Sequence, residues 1–329
     1  MTAAAAAIAG IGGAVPPRVV TNEELIERID SSDEWIRART GIRQRHYVDP
    51  GTATSDLAVE AGARALKSAG IDAVDVVIVA TTTPDHSCPA TAPAVSGRLG
   101  LGTVPAFDVN AVCSGFLYGL TVASSMIRAG AAETALLIGA DTFSTIIDPT
   151  DRATAFLFGD GAGAVVLRGA ELGEDGAILD IELGSDGAME NLIIVPGGGS
   201  RRPASDDPAD AFFTMQGQSV YRHAVGFMTA ATRSVLARVG WAPGDVDWFV
   251  GHQANSRILQ ATANRLAIAP ERALMNLDRV GNTAAASIPL ALADAADAGT
   301  LCAGDKIALA AFGGGATWGA AALTWPDLA

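Results

Sequence analysis

The chain has 329 residues, 49% of them hydrophobic and 18% charged, with a formal net charge of −14. Such a chain has room for a sizeable core and is not of the disordered class. The acidic balance argues against nucleic acid or an anionic membrane as a partner, and the three cysteines (Cys88, Cys113, Cys302) are spaced for neither a disulfide framework nor a metal cluster.

The opening MTAAAAAIAGIGGAVPP lacks a basic leader, and its glycines and prolines suit a first strand and a turn. With unpaired cysteines this points to the reducing cytoplasm. Thr21–Glu24 and Ser31–Glu34 both have the capping-box pattern and predict two short helices. SSDEWIRARTGIRQRH then gathers Trp35, Arg37, Arg39, Arg43 and Arg45, which reads equally as a solvated helix face or as a binding patch. A helix over Ser55–Ala69 leads to Val74–Thr83, a continuous apolar run of the kind buried on both faces of a sheet.

AFDVNAVCSGFLYGLTVASSMI, Ala106–Ile127, is the stretch that organises the first half. It predicts a strand at Ala106–Val109, a tight turn, and a helix with Phe116, Leu120, Ala123 and Ile127 on one apolar stripe. Cys113 falls where that helix begins, among unpaired N–H groups and the positive end of the helix dipole, which favour a thiolate. The plainer alternative is a small buried core residue. A strand at Ala135–Asp141 follows, then two strand-like runs, Thr154–Phe158 and Ala164–Leu167, around the turn GDGAGA. That glycine-rich segment leads into a strand, not a helix, so a dinucleotide fingerprint is rejected.

The order then repeats. Ala230–Asn255 reads like Ala63–Thr83, and Leu274–Leu292 reads like the Cys113 segment, with Asn282 in roughly the place of Cys113. Ile307–Trp325 is uncharged, but AFGGGATWG splits it into two strand-like runs, so no transmembrane helix is expected. A doubled pattern implies two stacked pseudo-symmetric halves, here 1–172 and 173–329, with GGGSRRPASDDPAD as a loop in the second.

The chemistry-bearing set is Cys113, His252 and Asn282. His252 ends the strand WFV, where loops form sites, and Asn282 could simply cap the following helix. Equivalent junctions of two similar halves are expected to meet, which would bring all three into one cleft.

TNEELIERIDSSDEWIRARTGIRQRH, VIVATTT, AFDVNAVCSGF, DPTDRATAFLFGDGAGAVVL, VGHQANSRI, GNTAAASIPLAL and AFGGGATWG, in this order, resemble the β-ketoacyl-[acyl-carrier-protein] synthase III family of the thiolase superfamily. The resemblance implies an α/β fold of two pseudo-symmetric halves with mixed sheets layered between helices (αβαβα), a homodimer, and no cofactor or metal. It implies that Cys113 takes an acyl group from acyl-CoA and passes it to malonyl-ACP with decarboxylation, initiating fatty-acid or polyketide-type synthesis. His252 and Asn282 would hold the enolate oxygen, and the N–H groups of Cys113 and Gly314 the oxyanion at the acyl carbonyl. Trp35, Arg39 and Arg152 would contact CoA, Gly217 and Asn255 would line the pantetheine tunnel, and Arg222, Arg257 and Arg265 would attract the acyl carrier protein. Cys88 falls at the far end of the acyl pocket, contributed across the dimer, where a small residue suggests room for a longer or branched group. Gly251 before His252 and Ser114 after Cys113 depart from the family pattern, and Cys302 receives no role. The alternatives are a starter-unit priming ketosynthase or acyltransferase of the same fold. A papain-like peptidase lacks its cysteine signature here, and a silent partner subunit would not be expected to carry the nucleophile.

Overall fold

The computed structural model describes residues 3–328, which leaves Met1 and Thr2 of the N-terminal reading outside the described residues. A five-stranded sheet runs in the order Ala5–Ala14, Gly161–Ala170, Thr134–Asp141, Val76–Ala80, Ala106–Val109. A four-stranded sheet runs Trp248–Gly251, Lys306–Gly313, Thr317–Thr324, Ile178–Ser185. Val76–Ala80 is parallel to both its neighbours and buried throughout, which explains its unbroken apolar sequence.

Helices Gly115–Arg128 and Ser287–Asp297 lie between the sheets. Phe116, Leu120, Ala123 and Ile127 share one core with Ile288, Leu292 and strand residues from both sheets, such as Ile78 and Leu309. Helix Thr54–Ala69 covers the outer face of the first sheet, and Gly217–Arg238 with Ser256–Leu266 covers that of the second. The layers therefore alternate helix, sheet, helix, sheet, helix. Close approach sets local composition: a Cβ on Gly12 would stand 2.5 Å from Ala61 O in the covering helix.

The structure corrects several local expectations. Ser32, one residue later than the capping pattern placed it, caps the second short helix by accepting the Trp35 N–H at 3.1 Å. Thr81–Thr83 leave the strand to hydrogen-bond the Asp141 carboxylate. Thr154–Phe158 is not a strand. Asp151 folds it into turns, and Arg45 Nη2 and Tyr47 Oη donate to the Phe156 and Ala155 carbonyls, which a sheet would otherwise satisfy. Its apolar residues are nonetheless buried, so the hydrophobic run marks core without marking a ladder. Nor is GDGAGA a turn: Gly161–Ala164 already belong to the strand Gly161–Ala170, and Gly163 lets the backbone of helix Ser287–Asp297 approach. Arg45, counted in the basic patch, is fully buried, and desolvation lowers its guanidinium to about 10.

Candidate active site

Cys113 sits in the 3-10 turn Val112–Ser114 that joins strand Ala106–Val109 to helix Gly115–Arg128. Val112 has φ +49°, an outlier for a β-branched residue, with its N–H donated to Asn110 Oδ1 at 3.2 Å. Such a conformation costs on the order of 1–3 kcal/mol and persists only where neighbours over-determine it. The neighbours come from the second half. Ser114 Oγ donates to Thr317 O at 3.0 Å, while Thr317 Oγ1 lies 3.0 Å from Ala111 O and 2.9 Å from Gly314 O. Gly313 presses on the same turn, since a Cβ there would stand 2.8 Å from the Cys113 nitrogen.

The thiol departs from expectation. Burial pushes Cys113 well above the ordinary thiol range, the nearby Asp141 carboxylate adds to the rise, and only a backbone N–H opposes it. Desolvation is the largest cause of the rise, and the α-helix proper begins two residues later, at Gly115.

His252 follows strand Trp248–Gly251, with its N–H donated to Ala310 O at 2.8 Å. Its Nδ1 lies 2.6 Å from Ser287 Oγ. Burial lowers the imidazole to about 3, so the ring is neutral at ordinary pH. A Cβ on Gly251 would meet Leu259 Cδ2 at 2.4 Å, so any side chain there requires Leu259 to shift. Asn282 is fixed on both sides by its backbone, donating N–H to Leu157 O at 2.9 Å and accepting Gly159 N–H at 3.0 Å. Its side-chain Oδ1 accepts the Ala284 N–H at 3.0 Å, which leaves the Nδ2 donors for the cavity.

The pseudo-symmetry has a different register from the sequence reading. Val112 at φ +49° and Ala284 at φ +47° occupy matching 3-10 turns, each with an asparagine oxygen two residues back on its N–H. Asn282 is therefore the counterpart of Asn110. The counterpart of Cys113 is Ala285, whose N–H is taken by Asp141 Oδ2 at 2.9 Å.

Cys113, His252 and Asn282 line one inner cavity of about 40 Å³, walled by Phe158, Phe213 and Phe312. An outer cavity of about 620 Å³ adjoins it, for Met215, Val220, Ala254, Ile258 and Asn282 line both. Trp35, Arg39, Gly217, Arg222, Asn255 and Arg257 line the outer cavity. Trp35 is about one-third exposed (37%), with the Arg39 guanidinium 5.3 Å from its ring centroid. Asn255 caps helix Ser256–Leu266 and donates to Arg39 O at 3.2 Å, tying the two walls together.

Four expected residues lie outside these walls. Arg152 pairs with the exposed Asp30 at 3.3 Å, and Arg265, in the last turn of helix Ser256–Leu266, contributes to neither cavity. Cys88 is exposed on a loop and reaches neither cavity of its own chain; Cys302 is likewise exposed. Gly314 is buried behind Ile193 and Val112, one residue beyond the glycine that touches Cys113. Among the described residues no group of three or more His, Cys, Asp or Glu is placed to hold a metal, and no helix is long and apolar enough to cross a membrane.

Residues 107–187 match the family model described as 3-oxoacyl-[acyl-carrier-protein] synthase III, and residues 236–325 match its C-terminal counterpart. A β-ketoacyl-[acyl-carrier-protein] synthase III of Streptomyces coelicolor is 59% identical over 327 residues, covering 98% of each chain. The chain belongs to the β-ketoacyl-[acyl-carrier-protein] synthase III family. The crystal structure of the synthase III from Pseudomonas aeruginosa superposes with a TM-score of 0.94 at 47% identity, covering 99% of both chains. A priming β-ketosynthase of the R1128 polyketide pathway reaches 0.93 at 32% identity, covering 99% of this chain and 98% of that one. Against this synthase III fold, sequence reasoning missed Ser287 behind His252, and Phe213 and Met215 in the cavity walls. The two wall residues end a loop-like run, where a Phe–Thr–Met alternation was the only signal.

Proposed function

We propose that the protein is a condensing acyltransferase that loads an acyl group from acyl-CoA onto Cys113 and condenses it with malonyl-ACP to give 3-oxoacyl-ACP. The observation that carries this reading is the pair of joined cavities: a wide, basic, aromatic-rimmed one opening onto a narrow apolar one that holds Cys113, His252 and Asn282.

In the first stage Cys113 Sγ attacks the thioester carbon, CoA leaves, and the thiol proton of Cys113 ends on the CoA sulfur. The exchange is thiol for thiol, so the protons balance overall; the attacking species is the thiolate, formed as Cys113 gives up the proton that the CoA sulfur receives. The carbonyl oxygen gathers charge against the N–H of Cys113 and, by the family resemblance, that of Gly314, although Gly314 lies just outside the inner cavity's lining; one such donor is typically worth about 3 kcal/mol. In the second stage the malonyl carboxylate leaves as CO₂ and its bonding pair forms an enolate. That enolate's oxygen meets His252 Nε2–H and Asn282 Nδ2–H, and its carbon attacks the acyl-Cys113 carbonyl. Cys113 departs as thiolate and takes one proton from solvent, restoring the thiol. A neutral His252 suits this role, since the step calls for a donor and loss of CO₂ itself makes the nucleophile.

Trp35 and Arg39 are read as the CoA nucleotide contacts, with Arg152 at their periphery, and Gly217 and Asn255 as pantetheine contacts. Arg222, Arg257 and Arg265 form the positive rim for the acidic carrier protein, acting within an otherwise acidic surface. The two halves divide at 1–172 and 173–329. Strand Ala106–Val109 is a half-buried sheet edge with one free side, which supports a homodimer paired there. Cys88 would then reach the acyl pocket of the second copy, in the cytoplasmic enzyme. The likeness to a polyketide priming ketosynthase favours starter-unit priming as the second reading.

The test separates the stages. His252→Ala and Asn282→Ala should still acquire an acyl group on Cys113 from acetyl-CoA yet lose malonyl-ACP condensation by about 10²-fold or more. Equal loss of both stages in both variants would refute the assigned roles. Parallel assays with fatty-acid and polyketide carrier proteins distinguish the two pathways.

A further inference from the structure

The inner cavity needs His252 as a donor at Nε2, which is a matter of tautomer. A neutral imidazole carries one proton, and whichever nitrogen lacks it can only accept. The ring does not decide this alone; its partner at Nδ1 does.

That partner is Ser287, the first residue of helix Ser287–Asp297, 1% exposed. Its Oγ has two neighbours within hydrogen-bond distance: His252 Nδ1 at 2.6 Å and the Gln253 N–H at 3.3 Å. The Gln253 amide can only donate, so it uses an Oγ lone pair. Among the described residues no carbonyl or carboxylate accepts from Ser287 Oγ. Were Nδ1 to carry the proton, Ser287 would receive two N–H groups and its own hydroxyl proton would have no acceptor in a fully buried position. An unpaired buried donor of this kind is disfavoured. With Nδ1 bare, every group is satisfied: Gln253 N–H to Oγ, Ser287 O–H to Nδ1, and Nε2–H free for the cavity.

The surroundings hold both partners still. Gln253 Nε2 donates to Gly251 O at 2.8 Å and Leu274 O at 3.1 Å, and its Oε1 accepts the Asn276 N–H at 3.2 Å. The loop bearing His252 is thus braced at the residue that also directs the Ser287 oxygen. Ser287 begins a helix buried between the sheets, which holds its backbone beside the ring.

We propose that Ser287 is a positioning residue which, by donating its hydroxyl proton to His252 Nδ1, fixes the imidazole as the Nε2–H tautomer that decarboxylation of the malonyl thioester requires. The consequence for catalysis rests on the proposed condensing role, whereas the tautomer is a property of the resting protein. Ser287 acts through His252 and touches neither substrate. It therefore governs the second stage and spares the first. In an unrelated Ser-His-Asp triad the wrong histidine tautomer costs ~10⁴ in rate, which serves as an upper bound.

The decisive experiment is ¹H–¹⁵N correlation of the side-chain imidazoles of the full-length protein labelled at histidine, near neutral pH. The chain has four histidines, so loss of one signal set in His252→Gln assigns the spectrum. The expected wild-type result is a His252 ring with unprotonated Nδ1 and protonated Nε2. An Nδ1–H ring, or an equal mixture, would overturn the proposal without any variant having to fold. Ser287→Ala should then admit the Nδ1–H form and slow malonyl-ACP decarboxylation about 10- to 1000-fold, with Cys113 acylation by acetyl-CoA changed less than about 3-fold. Ser287→Thr, which keeps the hydroxyl, should retain the wild-type tautomer. Unchanged decarboxylation in a folded Ser287→Ala protein also overturns the proposal. A correct tautomer in a wild type that fails to condense would instead contradict the condensing role alone.

Discussion

Gly313→Ala probes the contact on which the position of Cys113 depends. The added Cβ would lie 2.8 Å from the Cys113 nitrogen and 3.0 Å from both Ala111 O and the Ser114 nitrogen. All three are backbone atoms of the cysteine turn, so no side chain can swing aside. Ordinary contact starts at 3.4 Å, which requires the strand end and the turn to part by about 0.6 Å. That parting pulls against the Ser114 and Thr317 hydrogen bonds that hold Val112 at φ +49°. Overpacking of this sort costs about 1–3 kcal/mol of stability. Since a displacement of about 1 Å near reacting groups costs ~10² in rate, acylation should slow about 10- to 100-fold. Stopped-flow or quench-flow acylation by acetyl-CoA, read as protein mass, gives the rate, and thermal unfolding gives the stability. Gly187→Ala, whose Cβ would meet nothing within 4 Å, serves as the control. Acylation within twofold of wild type in a Gly313→Ala protein of unchanged melting temperature would refute the reasoning.

Three further outcomes follow from single environments. His252 is lowered from 6.5 to about 3, so the unfolded chain binds the extra proton first, and stability present above pH 6.5 is lost as pH falls towards 3, by about 2 kcal/mol at pH 5; His252→Gln should show a smaller loss in chemical denaturation over that window. Trp35→Ala should raise KM for acyl-CoA about 5- to 30-fold, the equivalent of about 1–2 kcal/mol of stacking, and leave kcat within about twofold; an unchanged KM places the nucleotide elsewhere. Gly226 lies mid-helix in Gly217–Arg238, with no atom within 4 Å of an added Cβ, so Gly226→Ala should stabilise the protein by about 0.5–1 kcal/mol in urea titration.

Periodicity carried the layers of this fold a long way. The Phe116, Leu120, Ala123, Ile127 stripe and the run Val76–Ala80 express burial on one helix face and on two sheet faces, and such burial is written directly into residue type. Thr154–Phe158 was misleading because burial and strand are separate facts. The sequence spells out the apolar side chains, but the carbonyls are satisfied by Arg45 and Tyr47, more than a hundred residues away. Cys113, His252 and Asn282 were legible as a set through the motifs around them. Their states were not. A helix start predicts a thiolate, yet the solvent exclusion that reverses this comes from Phe158, Phe213 and Phe312, which meet only in the folded chain. The match of Asn282 to Asn110, one turn off the expected partner, needed the φ values of Val112 and Ala284.

The central claim is that Cys113 carries the acyl group between two substrates. Intact-protein mass spectrometry tests it directly: the protein is incubated with acetyl-CoA, then with malonyl-ACP, in parallel with Cys113→Ala. The account predicts a single acetyl increment on the wild type, absent from the variant, which disappears on adding malonyl-ACP as 3-oxobutyryl-ACP forms. An increment that survives in Cys113→Ala, or none on the wild type while 3-oxobutyryl-ACP still accumulates, would contradict it.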